Sequence, residues 1–287
     1  MSLRLEMLQV ARLAPKLLGD SAALITSFLE RQESGGAFLD RAGAPDIYYT
    51  VFGLESLRAL SAPAPGATAS YLRQFGSGAG LDLVHLSSLV RCWANVERAP
   101  LPDCEQLAEN LEKFRTPDGG YGASGAGTVY GSFLALSAYQ DLQMPLPDPD
   151  RLLGCVQRLR ADDGAYSNQP GAVFGQTSAT AAAIGILRHL GEPVPAALRN
   201  WLLRCRHADG GFLAVPAAPL PDLLSTATAL HALVSLGASL DAVREPALDF
   251  IDTLWTTRGG FLGSWADETL DCEYTYYGLL ALGYLSL

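Results

Sequence analysis

A short glycine–aromatic motif repeats along this sequence, and the repetition limits the folds that the chain can adopt. Most copies are about 45 residues apart, and the one double interval contains a degraded copy, Gly78-Ala79-Gly80-Leu81. The sequence therefore predicts about six repeats of one structural unit. The clear copies are Gly35-Gly36-Ala37-Phe38, Gly119-Gly120-Tyr121, Gly164-Ala165-Tyr166, Gly210-Gly211-Phe212 and Gly259-Gly260-Phe261.

Each repeat contains two apolar stretches with helical periodicity, one on either side of the glycine motif. In the fifth repeat the first stretch places Leu198, Trp201 and Leu202 on one helical face. A glycine pair ends such a helix readily, because glycine adopts the left-handed conformation at little cost. The second stretch, residues 225–237, is apolar on nearly every side, which is typical of a buried helix. The first helix of each repeat has a polar side that can face water, whereas the second helix has none. This difference predicts two concentric rings, with the first helices outside and the second helices inside.

The predicted fold is therefore all-α, an α/α toroid (an α6–α6 barrel) of about six helix–turn–helix repeats. We expect one domain over residues 1–287, with repeats at roughly 20–60, 67–98, 104–142, 149–191, 195–237 and 244–287. An open stack of the HEAT type has a similar repeat length and is the alternative. Such a stack needs neither the glycine–aromatic turn nor inner helices that are apolar on both flanks.

Composition excludes two classes of partner. The chain has 20 basic and 30 acidic residues and no basic run, so we expect no nucleic-acid binding. No apolar run reaches the roughly 18–20 residues that a membrane span requires. Five scattered cysteines without a C-x-x-C pair indicate reduced thiols rather than a disulfide framework. Together with a start that does not resemble a signal peptide, this predicts a cytoplasmic protein.

The starts of the second helices add a pattern that points to a family. Asp46-Ile47-Tyr48-Tyr49-Thr50 and Asp271-Cys272-Glu273-Tyr274-Thr275 are its clearest copies. Together with the glycine–aromatic turn, this repeat resembles that of the protein prenyltransferase β subunits, to which squalene and hopene cyclases have related barrels. The resemblance covers essentially the whole chain. It implies a central cavity that holds an isoprenoid diphosphate, a zinc ion that activates a thiolate, and pairing with a helical α subunit.

The resemblance also implies metal ligands at the starts of the last two inner helices. Asp222 matches the family's aspartate, but Leu224 and Tyr274 stand at its cysteine and histidine positions. A displaced site is one alternative, and magnesium held with a diphosphate is another. Aspartates at helix starts are also preferred N-caps, and a single histidine is often structural, so these interpretations stay open. The candidate ligands are Asp222, Asp271, Glu273 and His85.

Aromatic side chains of the inner helices are candidates for binding an apolar ligand, although aromatics at helical spacing also fit a packed core. The candidates are Tyr49, Tyr130, Tyr274, Tyr277 and Trp93.

Three functions follow from these observations. The first is a prenyltransferase-like protein that binds an isoprenoid diphosphate in the barrel and transfers the prenyl group to an acceptor. The second is a non-catalytic binding or scaffold protein of the same fold, which the absence of the family's basic diphosphate-binding residues favours. The third is a terpene cyclase-like enzyme, although the D-x-D-D acid of such cyclases does not occur in the sequence.

Overall fold

The computed structural model describes residues 2–96 and 103–287, and its helices alternate between an inner and an outer ring. The inner helices are α4 (Ile47–Ala59), α6 (Leu83–Asn95), α8 (Val129–Asp141), α10 (Thr177–His189), α12 (Leu223–Ser235) and α14 (Cys272–Leu285). The outer helices are α3 (Ser21–Gln32), α5 (Thr68–Arg73), α7 (Cys104–Glu112), α9 (Pro149–Arg158), α11 (Ala197–Arg204) and α13 (Asp241–Leu254). The first five outer–inner pairs each fall within one predicted repeat, whereas α13 begins three residues before the sixth predicted repeat, 244–287. Residues 97–98, the end of the second predicted repeat, lie outside the described residues.

The inner ring is closed. Each inner helix packs against the next one along the chain, and α14 packs against α4. This last contact distinguishes a toroid from an open stack, whose first and last repeats do not meet. The predicted all-α toroid is thereby confirmed. None of the helices among the described residues is both long and apolar enough to cross a membrane.

Side-chain caps fix where the inner helices begin. Aspartates cap α4, α6, α12 and α14 by accepting the backbone N–H three residues later, at 2.7–3.0 Å. Thr128 caps α8 in the same way, at 2.8 Å. Such caps satisfy N–H groups that a helix leaves unpaired at its start, and the acidic ones also complement the helix dipole. Asp46, Asp82, Asp222 and Asp271 therefore act as N-caps, a role that the sequence had left open for aspartates at helix starts.

The glycine–aromatic turn joins each outer helix to its inner partner. Gly210 has φ +83°, and a Cβ there would lie 1.9 Å from the carbonyl oxygen of Pro246, so only glycine fits. The aromatic that follows is buried, and its N–H donates to a hydroxyl of the inner helix, as from Phe212 to Thr226 at 2.9 Å. Short antiparallel strands flank several turns: Glu33–Ser34, Ala37–Leu39, Pro45–Asp46, Phe212–Leu213, Pro221–Asp222, Trp255–Thr256 and Gly260–Phe261.

An N-terminal segment closes one end of the barrel. It consists of α1 (Leu3–Ala11) and α2 (Pro15–Leu18), and α1 packs against α4, α8 and α14. The approach to α14 is close: a Cβ on Gly283 would lie 2.2 Å from the carbonyl oxygen of Val10. Buried Arg4 also forms an ion pair with Asp141 of α8 at 2.9 Å. This segment belongs to none of the six repeats, so their pattern did not predict where it lies.

Candidate functional site

The inner ring surrounds a cavity of about 410 Å³. Most of its lining comes from the second, fifth, sixth and ninth residues after the N-cap of each inner helix, positions that share one helical face. We call the level of the second residues the mouth and that of the ninth residues, which Met7 of α1 joins, the floor. The mouth consists of Tyr48, Tyr130, Ser178, Leu224 and Glu273. The floor consists of Glu55, Arg91, Ser137, His231 and Leu280.

One wall of the cavity is aromatic. The rings of Tyr48 and Phe52 meet edge to face with centroids 4.9 Å apart, and Phe52 lies 5.6 Å from Tyr277. Tyr130 and Phe133 continue this lining on α8. Aromatic faces offer apolar surface to a hydrocarbon chain, and their π-electrons also attract a positive charge.

Glu273 places a carboxyl group at the mouth. Tyr48 Oη donates a hydrogen bond to Glu273 Oε1 at 2.5 Å. Burial raises the pKa of Glu273 to about 7, and the negative charge of Asp271 acts in the same direction, while the Tyr48 hydrogen bond and Arg41 oppose it. At neutral pH a large fraction of this carboxyl group is protonated beside the aromatic wall. A carboxyl group in that condition can donate or accept a proton.

Arg41 is held outside the cavity lining by two carboxylates. Its guanidinium lies 2.7 Å from Asp267 and 2.7 Å from Asp271, and it stacks over the ring of Tyr274 with 5.4 Å to the centroid. Its charge is therefore already balanced by its partners.

His85 joins the starts of two inner helices. Its Nδ1 lies 2.9 Å from Asp82 and its Nε2 lies 3.3 Å from Asp46. Burial alone would lower the pKa of His85, but the hydrogen bonds and charges of Asp82 and Asp46 outweigh it and raise the pKa above 6.5. Both ring nitrogens are thus occupied by carboxylates of the protein.

The four predicted metal ligands do not form one cluster. Asp222 accepts hydrogen bonds from the backbone and hydroxyl of Ser225, both at 2.7 Å. Asp271 pairs with Arg41, Glu273 with Tyr48, and His85 with Asp82 and Asp46. Within residues 2–96 and 103–287, no group of three or more His, Cys, Asp or Glu side chains is arranged to hold a metal ion. Asp271, Glu273 and His85, the residues of the displaced site, each have a different protein partner in this structure, and metal binding by them stays a prediction.

The donors around Asp222 do not fit zinc either. Leu224, which stands at the position of the family's cysteine, is an apolar residue of the cavity mouth. Tyr274, at the histidine position, packs under Arg41. Zinc sites in proteins need three or four nitrogen, sulfur or carboxylate ligands around the ion. Only one such ligand of the family's set is present here.

Helical phase separates the predicted aromatic residues into two groups. Tyr130 and Tyr277 line the cavity, at the second and sixth positions after their N-caps. Tyr49, Tyr274 and Trp93 were also expected there, but they are not among the lining residues. Tyr49 and Tyr274 occupy the third position after their N-caps and Trp93 the eleventh, outside the face that supplies most of the lining.

The polar floor was missed from the sequence. Arg91 Nε donates to Asp141 Oδ2 at 3.3 Å and lies 3.9 Å from Glu55, and Asp141 also binds Arg4. Across the ring, His231 Nδ1 lies 2.5 Å from the hydroxyl of Tyr284. The available signal was a polar residue at the ninth position after an N-cap, on helices that are otherwise apolar.

Comparison with known proteins identifies the family. The model of the prenyltransferase alpha-alpha toroid domain matches residues 5–88 and 179–286. The chain belongs to this family. The predicted resemblance to the prenyltransferase family is thereby confirmed. A search of curated proteins by sequence gives no significant match for this toroid.

Solved structures share the architecture of this family member. The type II terpene cyclase MstE from Scytonema is 14% identical with a TM-score of 0.62, over 94% of this chain and 97% of that one. A variant of the same cyclase, in complex with its substrate geranylgeranyl dihydroxybenzoate, is 14% identical with a TM-score of 0.59, over 95% of this chain and 97% of that one. Candida albicans protein geranylgeranyltransferase-I, complexed with GGPP, is 16% identical with a TM-score of 0.50, over 97% of this chain and 83% of that one. At these identities the likeness shows the fold.

Proposed function

We propose that this toroid binds an isoprenoid chain in its central cavity and acts on it by proton transfer at Glu273. The observation that carries the proposal is a titratable carboxyl group, with a pKa of about 7, beside an aromatic-lined cavity. The cavity volume of about 410 Å³ suits a ligand of small to medium size. The fold relatives whose names include a terpene substrate or GGPP support the choice of an isoprenoid.

The charges at the mouth favour a substrate without a free diphosphate. Glu273 is acidic, and Arg41 is already bound to Asp267 and Asp271. A diphosphate placed there would meet carboxylates, so it would need a bridging cation such as magnesium, which stays a prediction. Transfer of a prenyl group from a diphosphate, with or without a helical partner subunit, is therefore supported by the family alone.

Proton-initiated isomerisation or cyclisation agrees better with these residues. Protonated Glu273 gives its proton to a carbon–carbon double bond, whose π-electron pair forms the new C–H bond. Glu273 is left as a carboxylate, and a carbocation forms on the substrate. The aromatic wall stabilises that cation through its π-electrons. The Glu273 carboxylate then takes a proton from a carbon next to the cation, directly or through solvent water, and the electron pair of that C–H bond restores a double bond and leaves Glu273 protonated again. The product has the same composition as the substrate, so no other reactant is needed.

A non-catalytic binding protein is the second candidate. The departures of Leu224 and Tyr274 from the zinc ligands, and the lack of a D-x-D-D acid, favour it. It shares the cavity and predicts binding without turnover.

Incubation with isoprenoids in D₂O distinguishes these candidates. Farnesol, geranylgeraniol and GGPP are supplied separately, and products are analysed by mass spectrometry. Proton transfer at Glu273 predicts an isomer of a neutral substrate that carries one deuterium, with turnover at least about 100-fold lower in Glu273→Gln. The matched control is Glu268→Gln, an exposed residue nearby that loses the same charge.

Each outcome assigns a function. Binding with no product in any incubation supports the second candidate. Released diphosphate with GGPP supports the transferase. A lack of binding to all three ligands contradicts the proposal as a whole.

A further inference from the structure

The floor of the cavity holds a guanidinium group with unused hydrogen-bond donors. Arg91 lines the cavity, and 15% of its side-chain surface is accessible. Its Nε donates to Asp141. Within residues 2–96 and 103–287, its guanidinium group donates no further hydrogen bond, so both terminal amino groups are without an acceptor. A guanidinium group carries five N–H donors in a rigid fork. Most of this donor capacity therefore remains available at the floor.

Two hydroxyl groups near Arg91 are also without partners. Ser87 lies one turn before Arg91 on α6, and Ser137 lies one turn before Asp141, the Arg91 partner on α8. Both serines are cavity-lining and buried, with 6% and 4% of their surface exposed. Neither hydroxyl group has a hydrogen-bond partner among the described residues. Because buried polar groups are rarely left unpaired, this set indicates a ligand group that would pair with them.

The charges of the floor select the kind of ligand group. Arg91 and Arg4 are balanced by Asp141 and Glu55, which surround them in one buried network. His231 adds no charge, because burial lowers its pKa to about 4. An anion would disturb this balance, and a hydrocarbon would leave the donors unpaired. A neutral oxygen atom satisfies both requirements.

We propose that the floor recognises a hydroxyl or carbonyl group of the substrate, with Arg91 as its main donor. The inference rests on the proposed function for the hydrocarbon part of the ligand. It defines the substrate class as an oxygenated, uncharged isoprenoid that enters with its oxygen leading. It also sets the orientation: the chain runs along the aromatic wall, and the double bond farthest from the oxygen reaches Glu273. The group that protonates the substrate and the group that binds its oxygen thus lie at opposite ends of the cavity.

Two ligands that differ by one hydroxyl group test this inference. Farnesol and farnesene are titrated calorimetrically into the purified protein. We expect farnesol to bind at least about 10-fold more tightly, because a hydrogen bond to a charged donor is stronger than one between neutral groups. In Arg91→Met this preference falls to nearly one, while the affinity for farnesene is unchanged and reports an intact cavity. Ser137→Ala provides a second variant whose side chain has no partner to lose, and it reduces the preference several-fold.

The outcomes separate this inference from the proposed function. Equal affinities of the wild type for both ligands overturn the polar floor and leave isoprenoid binding in place. A preference that persists in both Arg91→Met and Ser137→Ala also overturns it. Loss of the preference in Glu273→Gln alone would locate the oxygen at the mouth, against the proposal. If the wild type binds neither ligand, the proposed function itself fails.

Discussion

Replacement of Glu273 by glutamine should change how the stability of the protein depends on pH. Its folded-state pKa of about 7 lies above the ordinary value of 4.5, so the folded state binds this proton more tightly than the unfolded state does. The resulting stability is fully present below pH 4.5 and is lost as the pH rises through 7. A difference of about 2.5 pKa units corresponds to about 3 kcal/mol over the whole range.

About 1 kcal/mol of this stability loss should fall between pH 6 and pH 8. The protein, with a net charge of −10 at pH 7, approaches neutrality only at more acidic pH, outside this window. Urea unfolding followed by circular dichroism at both pH values measures it. We expect Glu273→Gln to gain about 1 kcal/mol relative to wild type across this window, because glutamine does not titrate. Glu268→Gln, at an exposed position, should change in parallel with wild type. Parallel behaviour of Glu273→Gln as well would refute the argument that burial perturbs this carboxyl group.

Two further predictions concern the scaffold. The imidazole of His85 should titrate above pH 6.5 in an NMR experiment, and Asp82→Asn should lower that midpoint. The contribution of His85 to the stability of the fold is present below pH 6.5 and is lost as the pH rises through its folded-state pKa. An unchanged midpoint in Asp82→Asn would contradict the role of this carboxylate. Gly210→Ala should destabilise the protein by more than about 3 kcal/mol, since φ is +83° and a neighbouring backbone oxygen occupies the Cβ position. Gly237→Ala, where φ is +67° but the space around the Cβ position is open, should lower the free energy of unfolding by only about 1 kcal/mol in thermal or urea unfolding. Equal losses of stability in the two variants would show that the protein relieves the clash between the Cβ introduced by Gly210→Ala and the backbone.

The fold could be predicted from the sequence because its signals are local and repeated. Helical periodicity separates inner from outer helices, and glycine pairs mark the turns between them. The N-cap aspartates add the start of most inner helices. Each of these signals depends only on residues a few positions apart. Their repetition about six times, with inner helices that are apolar on both flanks, also predicted the closed ring.

The site was only partly predictable, since it depends on the rotation of each helix about its own axis. Tyr49, Tyr130 and Tyr274 were all candidates and all lie in the first turn of an inner helix, but only Tyr130 lines the cavity. One position along a helix rotates a side chain by about 100°, so counting turns was too coarse. Counting from each N-cap would have placed Glu273, Tyr277 and Arg91 correctly. The contribution of Met7 could not have been obtained in this way, because α1 lies outside the repeats.

The docking of α1 has a consequence for how the chain folds during synthesis. Helix α1 is made before every helix of the ring, yet it packs against α14, the last helix of the ring. The same α14 also closes the ring against α4. Until α14 leaves the ribosome, both surfaces lack their native partner, and long-range contacts of this kind slow folding. A nascent chain of this toroid must therefore keep α1 and the open edge of its ring from aggregating until the last helix of the ring has been translated.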